Sequence, residues 1–202
     1  MNLQKLPLTK VVLASQSPRR VELLKQMGLD CEILPTDIDE SVLLNETPES
    51  YVLRLAKQKA LAANILIKEK SSELQALPII AADTTVVLNN EILGKPENDV
   101  DAERMLNNLA GTTHTVLTAV AIVAQGQIGT QLSNTAVTMM PLTKAQILSY
   151  IAHGEHRGKA GSYGIQGLAA AWIKEIRGSY SGVMGLPIYE TACLLRKYSS
   201  YP

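Results

Sequence analysis

The residues best suited to chemistry in this chain are polar groups set where the surrounding pattern asks for apolar ones. Asp83 stands inside Ile79-Ile80-Ala81-Ala82-Asp83-Thr84-Thr85-Val86-Val87-Leu88. A carboxylate in such a run is costly to bury unless it is paired, protonated or bound to a metal, and desolvated carboxylates concentrate at functional sites. The bland alternative is an aspartate hydrogen-bonded to a neighbouring loop. Lys59 breaks a second pattern. On a helical wheel begun at Tyr51, the residues Tyr51, Val52, Leu55, Ala62, Ala63 and Leu66 share one arc, and Lys59 falls inside it while Arg54, Lys57 and Gln58 fall outside. An inward lysine either snorkels to a rim or presents its ammonium to a phosphate in a cleft, and Asp83 needs a partner of that kind.

A third constellation is Ser15-Gln16-Ser17-Pro18-Arg19-Arg20, between the apolar run Val11-Val12-Leu13-Ala14 and the helically spaced Val21, Leu23, Leu24 and Met27. The pattern predicts a buried strand, then a helix with Ser17 as N-cap, Pro18 as first residue and Gly28 as stop. A helix start offers unpaired N–H donors and a partial positive charge. Two guanidinium groups in that first turn are locally unfavourable, and a bound polyanion resolves the conflict. The hydroxyls of Ser15 and Ser17 and the forked donors of Arg19 and Arg20 suit phosphate oxygens. The plain alternative is a surface helix with two solvated arginines. Lys95, in Leu93-Gly94-Lys95-Pro96, is a weaker signal that by itself reads as a loop lysine. In Lys159-Ala160-Gly161-Ser162-Tyr163-Gly164-Ile165-Gln166-Gly167 the glycines allow close backbone approach to a flat ligand. The Gln166 amide carries a donor and an acceptor, which match the imide edge of uracil or thymine. A free amide flips and suits cytosine or adenine equally, so discrimination requires that something in the loop pin it.

These groups must be positioned by a regular framework. The pattern predicts strands over residues 11–14, 31–34, 78–88, 115–123, 128–139 and 168–176, and helices over 18–27, 48–68, 99–109, 144–153 and 187–198. An acidic loop, Asp37-Ile38-Asp39-Glu40-Ser41, follows the second strand. Residues 71–77 read as a loop, Asn89-Asn90 as a hairpin turn, Gln125-Gly126-Gln127 as another, and Arg177-Gly178 as a last turn. Hairpins mixed with strand–helix units imply an α/β fold with a mixed sheet, compact enough for one domain with two lobes. With 202 residues, 46% of them hydrophobic, the chain can build a substantial core.

Composition excludes some classes. Nineteen basic residues balance nineteen acidic ones, which gives no general pull toward nucleic acid or an anionic membrane. Phe is absent, so an array of base-stacking rings is not expected. No apolar run approaches the ~20 residues that span a bilayer, and Met1 to Lys10 lacks the apolar stretch of a signal peptide. Cys31 and Cys193, far apart, read as reduced, buried thiols of a cytoplasmic protein. His153 and His156 lie close, but Gly154-Glu155 between them reads as a turn and no Cys is near, so no zinc pattern is present.

Taken in order, Ser15-Gln16-Ser17-Pro18-Arg19-Arg20, Arg54-Leu55-Ala56 to Lys59-Ala60, Ala82-Asp83-Thr84, Gly94-Lys95-Pro96, Lys159 to Gly167 and Gly185-Leu186-Pro187 resemble the Maf family of nucleoside triphosphate pyrophosphatases, from about Leu13 to Leu195. Each motif is weak by itself; their joint order is specific. Two departures are visible: His156-Arg157-Gly158 where the family more usually has Pro-Leu-Asp, and Gln16 where Gly or Thr is more usual. The form Tyr163-Gly164-Ile165-Gln166-Gly167 resembles the branch acting on dTTP and UTP, not the branch acting on 7-methyl-GTP.

The resemblance implies one domain over residues 1–202, with a mixed sheet flanked by helices and two lobes around a central cleft, similar to inosine triphosphate pyrophosphatases and often homodimeric. It implies Asp83 as proton acceptor, Arg19, Thr84 and Gln166 in substrate choice, Arg20, Lys59 and Lys95 around the triphosphate, and Glu40 with Asp83 near a divalent cation, Mg2+ or Mn2+. The expected partner is a nucleoside triphosphate, dTTP, UTP or a modified pyrimidine relative, with no nucleic acid or membrane. Removal of noncanonical nucleotides and arrest of cell division are both compatible with that chemistry. The rival from another class is a nucleotide-binding regulator without catalysis. Against it stands Asp83, since phosphate binding alone does not require a carboxylate beside the polyanion.

Overall fold

A computed structural model describes residues 8–70, 73–199 and 201–202, and in it the apolar runs become strands of one mixed sheet. These are β1 (Lys10–Leu13), β2 (Asp30–Ile33), β3 (Ile79–Leu88), β4 (Glu91–Leu93), β5 (Thr113–Ala124), β6 (Gln127–Met139) and β7 (Ile173–Arg177). Their order is β2-β1-β3-β5-β6-β7, with β4 beside β3. β1 runs parallel to β2 and β3, and the remaining pairs are antiparallel. The helices are α1 (Pro18–Gln26), α2 (Pro48–Lys70), α3 (Asp99–Leu109), α4 (Lys144–His153), α5 (Tyr180–Met184) and α6 (Ile188–Tyr198).

Side-chain alternation along β3 and β5 sends apolar residues to both faces, and each face is covered. On one face α2 lays Val52, Ala56, Ala60, Ala63 and Ile67 over Ile79, Ala81, Leu117, Ala119 and Ala121. The opposite face is divided. At one end Leu23 and Leu24 of α1, Met184 of α5 and Leu194 and Leu195 of α6 pack on Ile80, Ala82, Val120 and Ile122. At the other end Met105, Leu106 and Leu109 of α3 and Ile147 and Ile151 of α4 pack on Val86, Val116 and Val137. Thr84 and Thr118, paired across β3 and β5, fall between the two clusters. The two clusters are the cores of the two expected lobes.

The edge of β3 explains where a cleft can form. β5 pairs with β3 along Ile79–Val87. On the other edge β1 pairs only with Ile79 and Ile80, and β4 only with Val86, Val87 and Leu88. The stretch between them, with Asp83 at its centre, has no strand neighbour on that side. The loops after the carboxyl end of β1 open there, the usual place for a ligand in an open α/β sheet.

Several elements differ from the sequence-based expectation. Residues 168–172, expected as strand, form a 3-10 turn, and β7 begins at Ile173. That segment is rich in alanine, and it lies where Trp172 is buried against Tyr150 rather than beside a strand. Ser17 occupies the N-cap position of α1, but its hydroxyl makes no capping bond; instead its own N–H donates to Ser15 Oγ at 3.2 Å. The expected 71–77 loop contains a 3-10 turn at Leu74–Ala76, and its Ser71 and Ser72 lie outside the described residues, as do Met1–Pro7 of the N-terminal stretch. Cys31 and Cys193 are free thiols, partly rather than fully buried. β4 is the return strand that the Asn89-Asn90 hairpin turn implied, and the short helix α5 is an addition to the sequence pattern.

One buried polar contact ties the glycine-rich loop to the sheet. His114 of β5, 2% exposed, places Nε2 2.7 Å from the Tyr163 hydroxyl, with the rings edge to face. Burial lowers the His114 pKa from its ordinary 6.5 to about 4. Above pH 6.5 the imidazole is neutral in folded and unfolded chains alike; below it the unfolded chain takes up a proton that the folded chain refuses until about pH 4. Folding stability is therefore expected to fall by up to about 3 kcal/mol as pH drops from 6.5 to 4. Denaturant titrations at several pH values check this, because His114→Gln removes that part of the slope.

Candidate active site

The unpaired stretch of β3 carries a charged triad. Lys59, projecting from the buried face of α2, donates to Asp83 Oδ1 at 2.6 Å, and the same Nζ lies 2.6 Å from Glu40 Oε1. Lys59 and Asp83 are 9% and 8% exposed, so this is a nearly desolvated pair. Lys95, far more exposed, reaches the other Glu40 oxygen at 3.3 Å. Burial raises the Glu40 carboxyl pKa, but hydrogen bonds and attraction from Lys59 and Lys95 outweigh it, and the net shift is downward. The backbone of Glu40 is held too, since its carbonyl accepts the Tyr51 hydroxyl at 3.0 Å. Burial, with the negative field of Asp83 and Glu40, raises the Tyr51 pKa to about 12.

Across the cleft, the loop after β1 and the start of α1 present Ser15, Ser17, Arg19 and Arg20. Arg20 donates from Nε to the Gly185 carbonyl at 2.8 Å and from Nη1 to Ser15 Oγ at 3.0 Å. Arg19 donates from Nε to the Met184 carbonyl at 3.2 Å. Those carbonyls lie at the C-terminal end of α5, which bears a partial negative charge. Helix-end carbonyls thus hold each arginine through Nε, and both side chains line the cleft. Desolvation lowers the Arg20 pKa, opposed by Asp83; a guanidinium stays protonated at neutral pH regardless. Thr84 lies beside them. Its Oγ1 is 3.0 Å from the fully buried hydroxyl of Thr118, which also donates to the Gly182 carbonyl at 2.8 Å.

These groups line one cleft of about 1030 Å3, which takes in Ser15, Ser17, Arg19, Arg20, Glu40, Lys59, Asp83, Thr84 and Lys95. A side cavity of about 240 Å3 shares Arg19, Lys159, Tyr163 and Ile165 with it and adds Glu155 and Gln166. Gln166 is exposed, and among the described residues nothing bonds its amide, so the expected pin on that side chain is absent. The loop around it is nonetheless specified. Gly161 has φ +65, and a methyl group there would come within 2.8 Å of Val86. The fold brings every residue selected from the sequence to one or other cavity. Tyr51, Thr118, Lys159 and the carbonyls of Met184 and Gly185 were not selected. Tyr51 carried a signal, a polar end on the apolar arc of α2; carbonyls carry none.

Two carboxylates at the cleft wall, Glu40 and Asp83, are the oxygen donors that a hard divalent cation would use. Among the described residues no group of three or more His, Cys, Asp or Glu forms an all-protein cage. That donor set fits Mg2+, which is commonly bound by one or two carboxylates together with substrate phosphates.

A family model described as "Maf-like protein" matches residues 10–198. The curated protein named dTTP/UTP pyrophosphatase from Methylobacillus flagellatus is 50% identical over 191 residues, covering 94% of this chain and 92% of its own. A protein of the same name from Ralstonia nicotianae is 51% identical over 196 residues, covering 94% of each. Among solved structures, protein VC0702 from Vibrio cholerae aligns over 96% of this chain and 99% of its own, with a TM-score of 0.50 and 12% identity; that likeness is one of fold.

The two lysines of the site should differ sharply in what they contribute to stability. Lys59→Met leaves Asp83 desolvated without its hydrogen-bonded counter-charge, and is expected to cost about 3 kcal/mol. Lys95→Met removes a solvent-screened contact and is expected to cost less than about 1 kcal/mol. Urea unfolding of both variants at neutral pH, compared with Asp83→Asn/Lys59→Met, measures the difference; the double variant should recover part of the loss.

Proposed function

The chain belongs to the Maf family, and on that premise we propose that it hydrolyses dTTP and UTP to the nucleoside monophosphate and pyrophosphate, with Asp83 as the general base. The observation that carries this reading is the placement of Asp83. It sits at the open edge of β3, bonded to Lys59, facing a cleft whose opposite wall bears Arg19 and Arg20. A polyanion spanning that cleft meets positive charge from both sides, while the carboxylate is reserved for chemistry.

Lys59 occupies Asp83 Oδ1, so Oδ2 is the atom that takes the proton from a water attacking the α-phosphorus. Lys59 thereby fixes the carboxylate's orientation and keeps a third N–H for the substrate, since two of its donors are already spent on Asp83 and Glu40. Arg20, with Lys95 at the rim, stabilises the charge that builds on the departing pyrophosphate. Arg20 is held by Gly185 and Ser15 before substrate arrives, so little reorganisation is needed at the moment of reaction. A divalent cation near Glu40 and Asp83, reaching Asp83 only through a shared water because Lys59 holds Oδ1 and Oδ2 is kept as the base, would supply charge neutralisation on the phosphates and acidify that water. Arg19, which borders both cavities, and Gln166, in the side cavity, read the pyrimidine edge. Among the described residues no helix is long and apolar enough to cross a membrane. We place the activity in the cytoplasm, in keeping with the two free cysteines.

With Mg2+ supplied, release of pyrophosphate, rather than orthophosphate, from UTP and dTTP is the expected product pattern. Asp83→Asn should lower kcat by about 10²–10⁴, and a loss below tenfold would remove Asp83 from the role of base. Gln166→Ala should narrow the preference for UTP over CTP more than it lowers turnover; unchanged ratios across a panel of bases would contradict its assignment.

A further inference from the structure

Gln166 sits on a turn whose backbone is fixed although its side chain is not. Gly167 N–H donates to the Gly164 carbonyl at 3.1 Å and closes a four-residue turn, with Ile165 buried as its anchor and Gln166 presented outward. Gly164 N–H donates to the Tyr150 hydroxyl at 3.3 Å on the leading side. On the trailing side Glu155 Oε2 accepts the Leu168 N–H at 2.9 Å. The same carboxylate lies flat against the α-carbon of Gly167, where an added methyl group would stand 2.0 Å from Oε2 and 2.7 Å from Cδ. Glu155 is itself placed by the left-handed cap Gly154, φ 77, that ends α4, and its carbonyl accepts the Lys159 ammonium. Glu155 and Gln166 line the same side cavity.

We infer that Glu155 is a positioning residue: its carboxylate clamps the turn carrying Gln166 and thereby sets pyrimidine selectivity without touching the phosphate chemistry. This rests on the reading of Gln166 given above. An ionised oxygen makes a stronger bond to a backbone N–H than a neutral one, and here it holds the residues immediately following the reader. A side chain at Gly167 would displace the carboxylate, the flexible end of Glu155, from this position. With the clamp gone the turn wanders, and the Gln166 amide meets donor and acceptor edges of different bases with similar ease. Binding and discrimination then suffer while the α-phosphorus remains as well placed as before.

The test is steady-state kinetics of the full chain with Mg2+ on UTP, dTTP and CTP, for wild type, Glu155→Ala, Glu155→Gln, Gly167→Ala and Gln166→Ala, together with amide hydrogen exchange at Leu168. Glu155→Ala should raise the UTP KM by about tenfold, the size of one lost charge-assisted hydrogen bond, with kcat within about threefold. Its preference for UTP over CTP should shrink by about tenfold, and the Leu168 amide should exchange about tenfold faster. Glu155→Gln keeps an accepting oxygen and should return each quantity to within about threefold of wild type. Gly167→Ala should reproduce Glu155→Ala. Unchanged KM and selectivity in Glu155→Ala, with Leu168 exchanging faster, would overturn the link to selectivity. A Glu155→Gln variant as impaired as Glu155→Ala would overturn the clamp. Failure of wild type to turn over UTP or dTTP, or of Gln166→Ala to alter selectivity, would strike the parent reading instead, and would leave Leu168 exchange to decide the clamp.

Discussion

The shared ammonium of Lys59 is the constraint around which the site is arranged. A lysine and an aspartate, each less than a tenth exposed, are tolerable only because they meet at 2.6 Å, and such a pair contributes geometry more than net stability. Lys59 lies on α2, Asp83 on β3 and Glu40 on the loop between β2 and α2. One cation therefore fixes the relative position of a helix, a strand and a loop. The alanine-rich face of α2 makes this reach feasible, since Ala56, Ala60 and Ala63 let the helix lie close to the sheet.

The second constraint is the interruption of β3's pairing. β1 leaves after Ile80 and β4 begins at Val86, so the intervening backbone edge faces a cleft instead of a strand. The interruption also explains how an apolar strand can hold an aspartate: the residue is buried from the α2 side but open toward the cleft. Facing it, the arginines of α1 are restrained by carbonyls at the end of α5. A helix start that would repel cations is offset by a helix end that attracts them, and both arginines line the ligand space.

The groups proposed for catalysis and those proposed for base reading are built from different parts of the fold. The acid pair and its lysine belong to the α2 face of the sheet. The Gln166 turn lies where the two clusters meet: Tyr163 is anchored on His114 and Gly164 on Tyr150 of α4, while Ile165 packs in the cluster of α1, α5 and α6. Arg19 and Lys159 border both cavities. On the proposed reading, this separation lets the reaction centre stay constant while the loop selects the base.

Much of this was written in the sequence. The strands and helices followed from apolar periodicity, because one face or both must be buried, and the turn at Asn89-Asn90 from residues that tolerate positive φ. Asp83 and Lys59 were visible as violations of that periodicity. The ordered motifs identified the family, since together they constrain far more positions than any one does. The partnerships were not visible. That Lys59 serves Asp83 and Glu40 at once depends on where α2 lies against β3, a packing outcome with no local signature. The carbonyls of Met184 and Gly185 carry no side-chain information at all, and the alanine-rich segment at 168–172 became a 3-10 turn because burial of Trp172 overrode its strand-like pattern. Local composition determined which residues were out of place; only the tertiary structure decided what each was placed against, because burial and charge pairing are properties of neighbours far apart in the chain.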